Sequence, residues 1–587
     1  MMPRFGIASP VMGLRTNVPG IALSEAYAPD NDNCRLVDGE VHRCKGPVRE
    51  FYDGAAEKIA LPRRVFPITA LAAKTFTVAG DQSSYFTAGE TIRCNGSTDN
   101  DGLYTVVSAT FDTDHTDIVL VEDINTATAD GNVFEGTTPV IHMHQLVTAA
   151  GGVEYFFVYT AYNIFSWNPT SSVLTVEWTV AAGAGCEYWQ SVNFCDNVVS
   201  TNNSDAPLKW LSSAPGSHCG SLADAAGVVD KAKFVTTFEN VLMFGHITAG
   251  ATVYGQRIAW CDFGDDTTWA GGNAGNADIT GNDAISGGFG GTAELLYILK
   301  ERSIHKLWLV TTEDVFNNAP VLLGIGCRAP DSVVVDGEGR VFFYGTDRNM
   351  REVVEGEISQ SIDKLVRDIG PDALPGIRGA FIEEYNEVWW AVPYSSGQAT
   401  NNRILKFGGG VWNKSDLPVS SFGRFNRQSS MVWEDLPYST WEEWAWDTWE
   451  SVEGDKGYTV DLSADYDGYV YAVHGANSSD GEDVQAHFVI ETDLTAKQEI
   501  TQYKRLLYVQ TYWRPSQTVT DVAVDVKADG AATWERVADI QFGGDLEYQV
   551  VEFPCDVRAK SFQVRVSCSA PFAFLGMVFD FELVGYY

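Results

Sequence analysis

Hydrophobic positions along this chain fall in short runs that are separated by turns rich in Gly, Asn and Asp. In Asp521–Lys527 and Phe562–Ser567, apolar and polar residues alternate strictly. This period of two is typical of antiparallel β-strands with one buried face. Sustained helical periodicity is almost absent, and aromatic residues are frequent within the runs. The pattern predicts an all-β chain.

One unit recurs: a short apolar strand, a tight polar turn, and a second strand that is richer in aromatic residues. Its copies begin at Val153, Val192, Phe234, Leu295, Val333, Ala380 and Leu462. The turns contain Asn-Xaa, Asp-Gly or Glu-Gly pairs, which supply the positive φ that two-residue hairpins need. Most copies start about 40 to 60 residues apart, as four-stranded propeller blades do. We therefore predict a β-propeller; the alternative is a long β-sandwich in which hairpins resemble one another by chance.

Two regions interrupt this repeat. Between about residues 70 and 136, short strands separated by Gly and Asn-Asp-Gly turns predict a small closed β-barrel. From about residue 481, strictly alternating strands predict a β-sandwich. The predicted units are an N-terminal arm with the first propeller strands (1–69), an inserted barrel (70–136), a propeller (137–480) and a C-terminal β-sandwich (481–587).

Charge narrows the range of partners. The chain has 40 basic and 78 acidic side chains, giving a formal net charge of −38. Binding of phosphate needs clustered Lys and Arg, so we expect no surface that grips nucleic acid. A pore through which DNA slides without sticking is compatible with the acidity. No apolar run is long enough for a transmembrane helix, the N-terminus lacks a secretory signal, and we predict no membrane insertion.

The ten cysteines are scattered and include no CxxC pair. In a chain of this length, that spacing predicts neither a disulfide framework nor a zinc site. Cys34 and Cys44 flank the turn Asp38-Gly39 and could face each other across a hairpin. Two reduced cysteines in a protein made in the cytosol is the preferred interpretation.

A search for catalytic motifs yields no GxSxG, phosphate-binding loop or HExxH. His142 and His144 would share one face of a strand, as half of a metal site does, but ordinary strand histidines are preferred. Asp465-Tyr-Asp467-Gly468 resembles the start of a calcium loop whose remaining ligands are missing, so a hairpin turn is preferred. We predict no catalytic residue, no cofactor, no metal site and no enzymatic activity.

One aromatic and acidic segment is unusual. It contains five tryptophans: Trp433, Trp441, Trp444, Trp446 and Trp449. Trp rings beside carboxylates can stack on sugars, and Trp is also enriched in the cores of protein interfaces. Packing or interface formation is the preferred interpretation, and a glycan-facing surface is the alternative.

Five short passages share features with a known family: Asn31–Arg43, Gly96–Val106, Val198–Trp210, Ile258–Trp269 and Val335–Tyr344. The first contains an early Asn…Asp-Gly…Arg hairpin, and the second is similar to a module that is common in phage tail proteins. Together the passages resemble the tail nozzle proteins of short-tailed bacteriophages, also called tail tubular protein B. The likeness spans most of residues 30–480.

This resemblance implies a structural virion protein. Six copies would form a ring that extends the DNA-ejection channel below the tail adaptor and portal-side proteins. The ring would close the channel before infection and offer contacts to tail fibres, and genomic DNA would pass through its lumen without specific binding. The protein would be made in the host bacterial cytoplasm and would reside in the phage tail.

Two other functions are compatible with the sequence. One is a carbohydrate-binding or carbohydrate-cleaving phage tail protein that uses the Trp-rich segment and a carboxylate pair such as Asp265-Asp266 or Glu383-Glu384. Such a protein would bind or cleave glycan in isolation. The other is a bacterial propeller that acts as a ligand-binding scaffold.

Overall fold

The computed structural model describes most of the chain. The described residues are 4–8, 12–17, 27–37, 40–49, 52–53, 57–58, 60–125, 128–146, 155–168, 173–180, 185–292, 294–310, 315–395, 397–427, 458–476, 478–479, 482–483, 485–495, 501–514, 520–542, 549–569 and 572–584. Their strands form a propeller, a closed barrel and a pair of facing sheets. The prediction of an all-β chain with a propeller, an inserted barrel and a C-terminal sandwich is confirmed.

Seven short strands precede the barrel and belong to several different sheets. They are β1 Arg4–Ala8, β2 Asp30–Asp32, β3 Cys34–Val37, β4 Glu40–Arg43, β5 Gly46–Arg49, β6 Tyr52–Asp53 and β7 Glu57–Lys58. Strands β6 and β7 pair with each other, whereas β1 to β4 join the sandwich and β5 joins the propeller.

The barrel is a closed sheet of six strands. They are β8 Pro62–Ala72, β9 Thr75–Ala79, β10 Thr91–Asn95, β11 Gly102–Asp112, β12 His115–Leu120 and β13 Asn132–Thr137. The order around the barrel is β10-β11-β12-β9-β8-β13, and pairing of β13 with β10 closes it. Alternate residues such as Phe76 and Ile118 fill the interior and are fully buried. Alternation along β9 and β12 separates an apolar inside from an outer surface.

The described part of the propeller comprises seven four-stranded sheets, which we number as blades 1 to 7. Blade 1 contains β14 Val140–Leu146, β15 Tyr155–Thr160, β16 Asn163–Asn168 and β17 Val173–Thr179. Blade 2 contains β18 Gln190–Phe194, β19 Asn197–Thr201, β20 Leu208–Leu211 and β21 Gly220–Ser221. Blade 3 contains β22 Lys231–Phe238, β23 Val241–Ala249, β24 Thr252–Trp260 and β25 Gly275–Asp278, and blade 4 contains β26 Ile285–Gly291, β27 Leu296–Lys300, β28 Ser303–Leu309 and β29 Phe316–Leu323.

The last three blades complete the series. Blade 5 contains β30 Val334–Val335, β31 Val341–Tyr344, β32 Met350–Glu352 and β33 Gly356–Glu357; blade 6 contains β34 Arg378–Ile382, β35 Glu387–Val392, β36 Arg403–Gly408 and β37 Val411–Ser415; blade 7 contains β38 Ser421–Arg427, β39 Tyr458–Ala464, β40 Val470–Ala476 and the N-terminal strand β5.

The first strands of successive blades contact one another around an axis, and β38 of blade 7 contacts β14 of blade 1 to close the circle. Strand β5 completes blade 7 by pairing with β40, with Arg49 opposite Tyr471. Closure therefore joins two distant parts of the chain. The first strands all run in one direction, so each begins at the same face, which we call the entry face.

The barrel is inserted between β5 and β14 and so emerges at the entry face. Its two connections lie side by side, because the Thr138 backbone N–H donates to the Leu61 carbonyl at 3.2 Å. The Leu61 N–H in turn donates to the carbonyl of Gly468 at 2.9 Å. The barrel is thus anchored to the turn between β39 and β40 of blade 7.

The remaining strands form the sandwich, apart from the short pair β41–β42. They are β41 Ser478–Ser479, β42 Glu482–Asp483, β43 Ala486–Thr492, β44 Tyr503–Arg514, β45 Thr520–Ala528, β46 Glu535–Phe542, β47 Gln549–Ala559, β48 Phe562–Cys568 and β49 Ala573–Val584. One sheet has the order β3-β4-β49-β44-β47, with β1 also on β49, and the other has the order β2-β43-β48-β45-β46. Phe488, Trp513 and Phe574 pack between the two sheets.

Helical structure is sparse in the described residues. One α-helix, α1, spans Asp363–Arg367. Short 3₁₀ segments span Ser83–Tyr85, Pro215–Ser217, Ala223–Ala225, Pro330–Ser332, Gln360–Ile362, Pro371–Gly376 and Glu383–Tyr385. None of the helices in the described residues has the length and apolar character that crossing a membrane requires.

Candidate functional site

The tryptophans singled out in the sequence cannot be placed on the fold. Trp433, Trp441, Trp444, Trp446 and Trp449 lie between residues 427 and 458, outside the described residues. Their assignment to an interface or to a glycan-facing surface therefore stays a prediction.

The histidine pair of β14 connects two blades. Nε2 of His142 lies 2.8 Å from Oγ of Ser191, and Nε2 of His144 lies 2.8 Å from Oδ1 of Asn193. Both partners belong to β18, the first strand of blade 2. Burial lowers the pKa of both imidazoles, that of His142 to about 3. The rings are therefore neutral near pH 7, and no group of three or more potential metal ligands occurs in the described residues.

Stability should decrease as the pH falls from about 6.5, because the unfolded chain binds protons that the folded His142 and His144 do not. Each group with a depressed pKa contributes up to about 1.4 kcal/mol per pH unit below its unfolded pKa. The melting temperature of the wild type and of a His142→Gln/His144→Gln variant should be compared between pH 7.5 and 5. The variant should lose less stability over this interval, and equal losses would contradict the assignment.

The candidate calcium loop at Asp465 and the cysteines Cys34 and Cys44 both lie at or beside hairpins. The Asp465 carboxylate accepts hydrogen bonds from the backbone N–H groups of Asp467 and Tyr469, both at 2.9 Å, and from the Tyr471 hydroxyl at 2.6 Å. Its oxygens thus stabilise the hairpin between β39 and β40. Cys34 and Cys44 are both free thiols, and Cys34 lies opposite Arg43 in the hairpin of β3 and β4.

At the entry end of the propeller axis, an ion pair joins blades 5 and 6. Arg378 is the first residue of β34, and Asp331 lies in the 3₁₀ turn that precedes β30. Nη1 of Arg378 lies 2.7 Å from Oδ2 of Asp331 and also donates to the carbonyl of Pro375 at 2.7 Å. The two side chains are only 11% and 17% exposed. The pair is therefore largely withdrawn from water.

A lysine and a tyrosine lie at the same end. Nζ of Lys233, in β22 of blade 3, is 5.9 Å from the ring centroid of Tyr188, which precedes blade 2. The Tyr188 ring packs edge-to-face on Phe234 with centroids 5.8 Å apart. The Tyr188 hydroxyl and Nε of Arg378 are both buried and have no hydrogen-bond partner in the described structure.

Burial and neighbouring charges shift the pKa values of these groups. Burial raises the pKa of Asp331, while Arg378 and then Lys233 act to lower it. Burial lowers the pKa of Lys233, and Asp331 opposes this. Burial, followed by Asp331, raises the pKa of Tyr188 well above its usual value. Burial lowers the pKa of His142, and the charges of His144 and Arg378 lower it further. The first strands of the blades surround the axis, and Tyr188, Lys233, Asp331 and Arg378 lie near the starts of these strands, so we call them the axial cluster.

A second polar arrangement fixes the sandwich to blade 6. Nε of Arg35, in β3, lies 3.0 Å from Oε1 of Glu387, and its guanidinium stacks 3.4 Å from the ring centroid of Tyr385. The other Glu387 oxygen accepts a hydrogen bond from Nε1 of Trp389 at 2.8 Å. The carboxylate is thus satisfied on both sides. This geometry holds the sandwich against the rim of the propeller.

Acidic residues of β2 extend this junction. Asp30 lies 2.9 Å from Nζ of Lys414 and 3.2 Å from Nε2 of His487. Burial would raise the pKa of Asp30, but the hydrogen bond from His487 and the charge of Lys414 lower it to about 2. Asn31 donates from Nδ2 to Oδ1 of Asn413 at 2.9 Å. The junction therefore has specific, paired contacts on both sides.

The outer surface of the barrel is apolar at one place. Leu103, Val107 and Val121 are 52%, 48% and 53% exposed. Leu103 and Val107 lie on β11, where an irregular register next to Val106 turns Val107 outward. The Val121 N–H donates to the carbonyl of Thr105 at 2.9 Å, which brings Val121 beside β11. We call these three side chains the barrel face.

No local sequence motif predicts the axial cluster. Its members come from separate blades and lie near the starts of the first strands. The one available signal is a cation within the first three residues of a first strand, as in Lys233 and Arg378. That signal has meaning only when the strand is known to surround an axis.

Comparison with known proteins finds only distant structural similarities. No family model matches the chain, and no curated protein matches it. Among similar solved structures is the extracellular domain of a putative one-component system from B. thetaiotaomicron, with TM-score 0.33 and 8% identity, covering 91% of this chain and 79% of that one. An exo-β-1,3-galactanase from Phanerochaete chrysosporium has TM-score 0.20 and 10% identity, with coverage of 92% and 100%.

Another similar structure is a carbohydrate-binding domain solved in complex with β-1,4-galactotriose. It has TM-score 0.12 and 17% identity, and the match covers 17% of this chain and 63% of that domain. Similar structures thus include carbohydrate-binding and glycoside-hydrolysing proteins. At these values of identity and TM-score, the matches carry no argument about the function of this chain.

Proposed function

We propose that this protein is a structural component of a phage tail and that it assembles with further copies of itself into a ring. The observation that carries the proposal is the combination of three β units on one chain, with the apolar barrel face turned to solvent. The proposal also draws on the resemblance to tail nozzle proteins. In this role the ring extends the DNA-ejection channel, contacts the tail adaptor and the tail fibres, and resides in the virion.

The passages that carry the resemblance are distributed over all three units. Asn31–Arg43 forms β2 to β4 at the junction of sandwich and propeller. Gly96–Val106 includes the turn before β11 of the barrel. Val198–Trp210, Ile258–Trp269 and Val335–Tyr344 lie in blades 2, 3 and 5. The likeness therefore does not depend on a single module, and this supports the proposal.

A ring requires a contact between copies that overcomes their repulsion. Each copy has a formal net charge of −38, so approach of two copies is unfavourable at low ionic strength. Burying apolar surface contributes about 25 cal/mol per Å² and is insensitive to this charge. We assign the barrel face to the contact with a second copy. Ring formation should accordingly be favoured by salt.

A double substitution Leu103→Asp/Val107→Asp should prevent ring assembly, because it places two charges in the contact between copies. The measurement is the mass of the assembled species by light scattering, in the presence of tail components. Both side chains are about half exposed, so the isolated variant should keep its melting temperature.

The matched control is Val354→Asp, since Val354 is 76% exposed on blade 5, away from the barrel. This variant should assemble as the wild type does. Normal assembly of the double variant, or an equal defect in the control, would contradict the role of the barrel face.

A second candidate function is the binding or cleavage of a glycan by the segment that contains the five tryptophans. Five Trp rings among carboxylates within seventeen residues favour this candidate. This candidate predicts that the isolated protein binds or cleaves surface glycan. Assembly into a ring without any glycan binding would count against it.

A further inference from the structure

A cleft of about 660 Å³ lies where the N-terminal segment, the propeller and the sandwich meet, and we call it the junction cleft. Ligand pockets in proteins commonly have volumes of about 300–1,000 Å³, so the cleft has room for a small organic ligand. The polar residues of its walls that bear on the argument are all exposed or half-buried: Arg15, Lys364, Tyr394, Arg403, Glu491 and Gln563. Unlike the groups at the propeller axis, these residues share one open space.

Two cations of the junction cleft have no acidic partner. Nε of Arg15 donates to the uncharged side chain of Asn17 at 3.0 Å. Lys364 is exposed on α1, where the acidic residue Asp363 pairs with Arg367 at 2.6 Å. Neither Arg15 nor Lys364 forms an ion pair within the described residues. Charges are screened beyond about 8 Å at physiological ionic strength, so a ligand in the cleft interacts with these cations more strongly than with distant carboxylates.

The sandwich supplies hydrogen-bonding groups of a different kind to the same cleft. Glu491 on β43 lies opposite Gln563 on β48, and Nε2 of Gln563 donates to Oε2 of Glu491 at 2.6 Å. A carboxylate accepts several hydrogen bonds, and a side-chain amide both donates and accepts. The pair therefore keeps free donor and acceptor capacity after bonding to itself. Hydroxyl groups, which also donate and accept, match this capacity.

The walls of the junction cleft are held in place by contacts between its parts. The Thr16 N–H donates to the Ser361 carbonyl at 2.8 Å, which fixes the N-terminal segment beside α1. The Arg403 guanidinium stacks 3.9 Å from the ring centroid of Tyr394, which fixes the ring on blade 6. Groups that are positioned before binding lose less entropy when a ligand arrives.

We propose that the junction cleft binds an acidic sugar, with Arg15 and Lys364 as contacts for the carboxylate and Glu491 and Gln563 as contacts for the hydroxyl groups. An acidic sugar combines one negative charge with several hydroxyls, and the two sets of wall residues match these two features. Charge-assisted hydrogen bonds to the carboxylate are shorter and stronger than neutral ones. The cleft lies within one copy, so this inference depends neither on ring assembly nor on the segment that contains the five tryptophans.

The first test compares glucuronate, glucose and inorganic phosphate as probes of the full chain, by calorimetry at physiological ionic strength. Glucuronate should bind saturably and at least tenfold more tightly than glucose, because it alone of the two sugars engages both cations. Absence of glucuronate binding, or equal affinity for the two sugars, would overturn the proposal. Tighter binding of phosphate than of glucuronate would also overturn it, because the hydroxyl contacts would then play no part.

Variants then locate the site. Arg15→Met and Lys364→Met should each lower the affinity for glucuronate about tenfold and affect glucose less, because each removes a contact to the carboxylate. Gln563→Ala should weaken both sugars by a similar factor, because it removes a contact to hydroxyls. The matched control is Arg367→Met, which removes a cation of the same helix that is 67% exposed and is absent from the cleft walls. Its affinity for glucuronate should equal that of the wild type.

A loss of affinity in Arg367→Met equal to that in Lys364→Met would place the ligand on the outer surface of α1 and overturn the proposal. Unchanged affinity in both Arg15→Met and Lys364→Met, with the melting temperature of the wild type, would do the same.

Discussion

Replacing Arg378 with alanine should lower the free energy of unfolding by about 3 kcal/mol or more, because removing one partner of a buried ion pair leaves the other charge uncompensated. Arg378 is 11% exposed and lies 2.7 Å from Asp331, which is 17% exposed. Burial already raises the pKa of Asp331 while its cation is present. The substitution also removes one of the contacts between blades 5 and 6. Denaturation with urea, followed by Trp fluorescence, measures the loss.

Arg367→Ala is the matched control. Arg367 pairs with Asp363 at 2.6 Å, but its side chain is 67% exposed, and exposed pairs contribute only about 0–1 kcal/mol. An Arg378→Ala/Asp331→Asn double variant should recover part of the lost stability, since the uncompensated charge is gone. If Arg378→Ala and Arg367→Ala have equally small effects, the axial pair is solvated, and the description of a dry axial cluster is wrong.

Replacing Gly468 with alanine should destabilise the junction between barrel and propeller by about 3 kcal/mol, as the sum of backbone strain and overpacking. Gly468 has φ +90°, a conformation that L side chains rarely adopt. A Cβ at this position would lie 2.8 Å from the Thr138 carbonyl oxygen and 3.0 Å from the backbone nitrogen and oxygen of Leu61. These are backbone atoms of the two segments that connect the barrel to the propeller. Unlike a flexible side chain, they cannot rotate away from the new Cβ.

Gly530→Ala separates the two contributions. Gly530 has φ +69° in the turn after β45, and a Cβ there would meet nothing within 4 Å. It should lose only the strain of a positive φ, about 1–2 kcal/mol. The melting temperature and the rate of proteolysis in the barrel connections should both change more in Gly468→Ala. Equal effects in the two variants would show that the barrel is not anchored at Gly468.

Local pattern was sufficient to predict the hairpins but not their places in the blades. The repeat copy Val153–Trp167 covers the second and third strands of blade 1, whereas Val192–Thr201 covers the first and second strands of blade 2. A hairpin is specified by its turn and its alternating residues, which are local. Its position in a blade depends on pairing with more distant strands. This difference explains the uneven spacing of the copies.

The N-terminal strands show the same limit. Strand β5 is only four residues long, and its partner β40 lies more than four hundred residues further along the chain. Strands β1 to β4 likewise complete the two sheets of the sandwich, although they lie outside the range of 481–587 that the sequence predicts for it. Their partners β43 and β49 would otherwise present unpaired edges, which must be covered. No local feature of a short strand indicates which edge it covers.

The functional surfaces differ in how far they could be predicted. The barrel face follows from alternation and one irregular register in β11. The axial cluster brings together residues as distant as Tyr188 and Arg378, and only closure of the propeller makes them neighbours. Side chains that act together across blades therefore leave no signature in the spacing of the sequence.

The most direct test of the central proposal is the mass of the purified protein in solution, measured by light scattering, alone and after mixing with tail components of the virion. We expect a ring, formed either by the protein alone in moderate salt or by a monomer that joins a ring when tail components are present. A stable monomer that ignores tail components at every salt concentration would contradict the proposal, and if that monomer bound or cleaved surface glycan, the second candidate function would replace it.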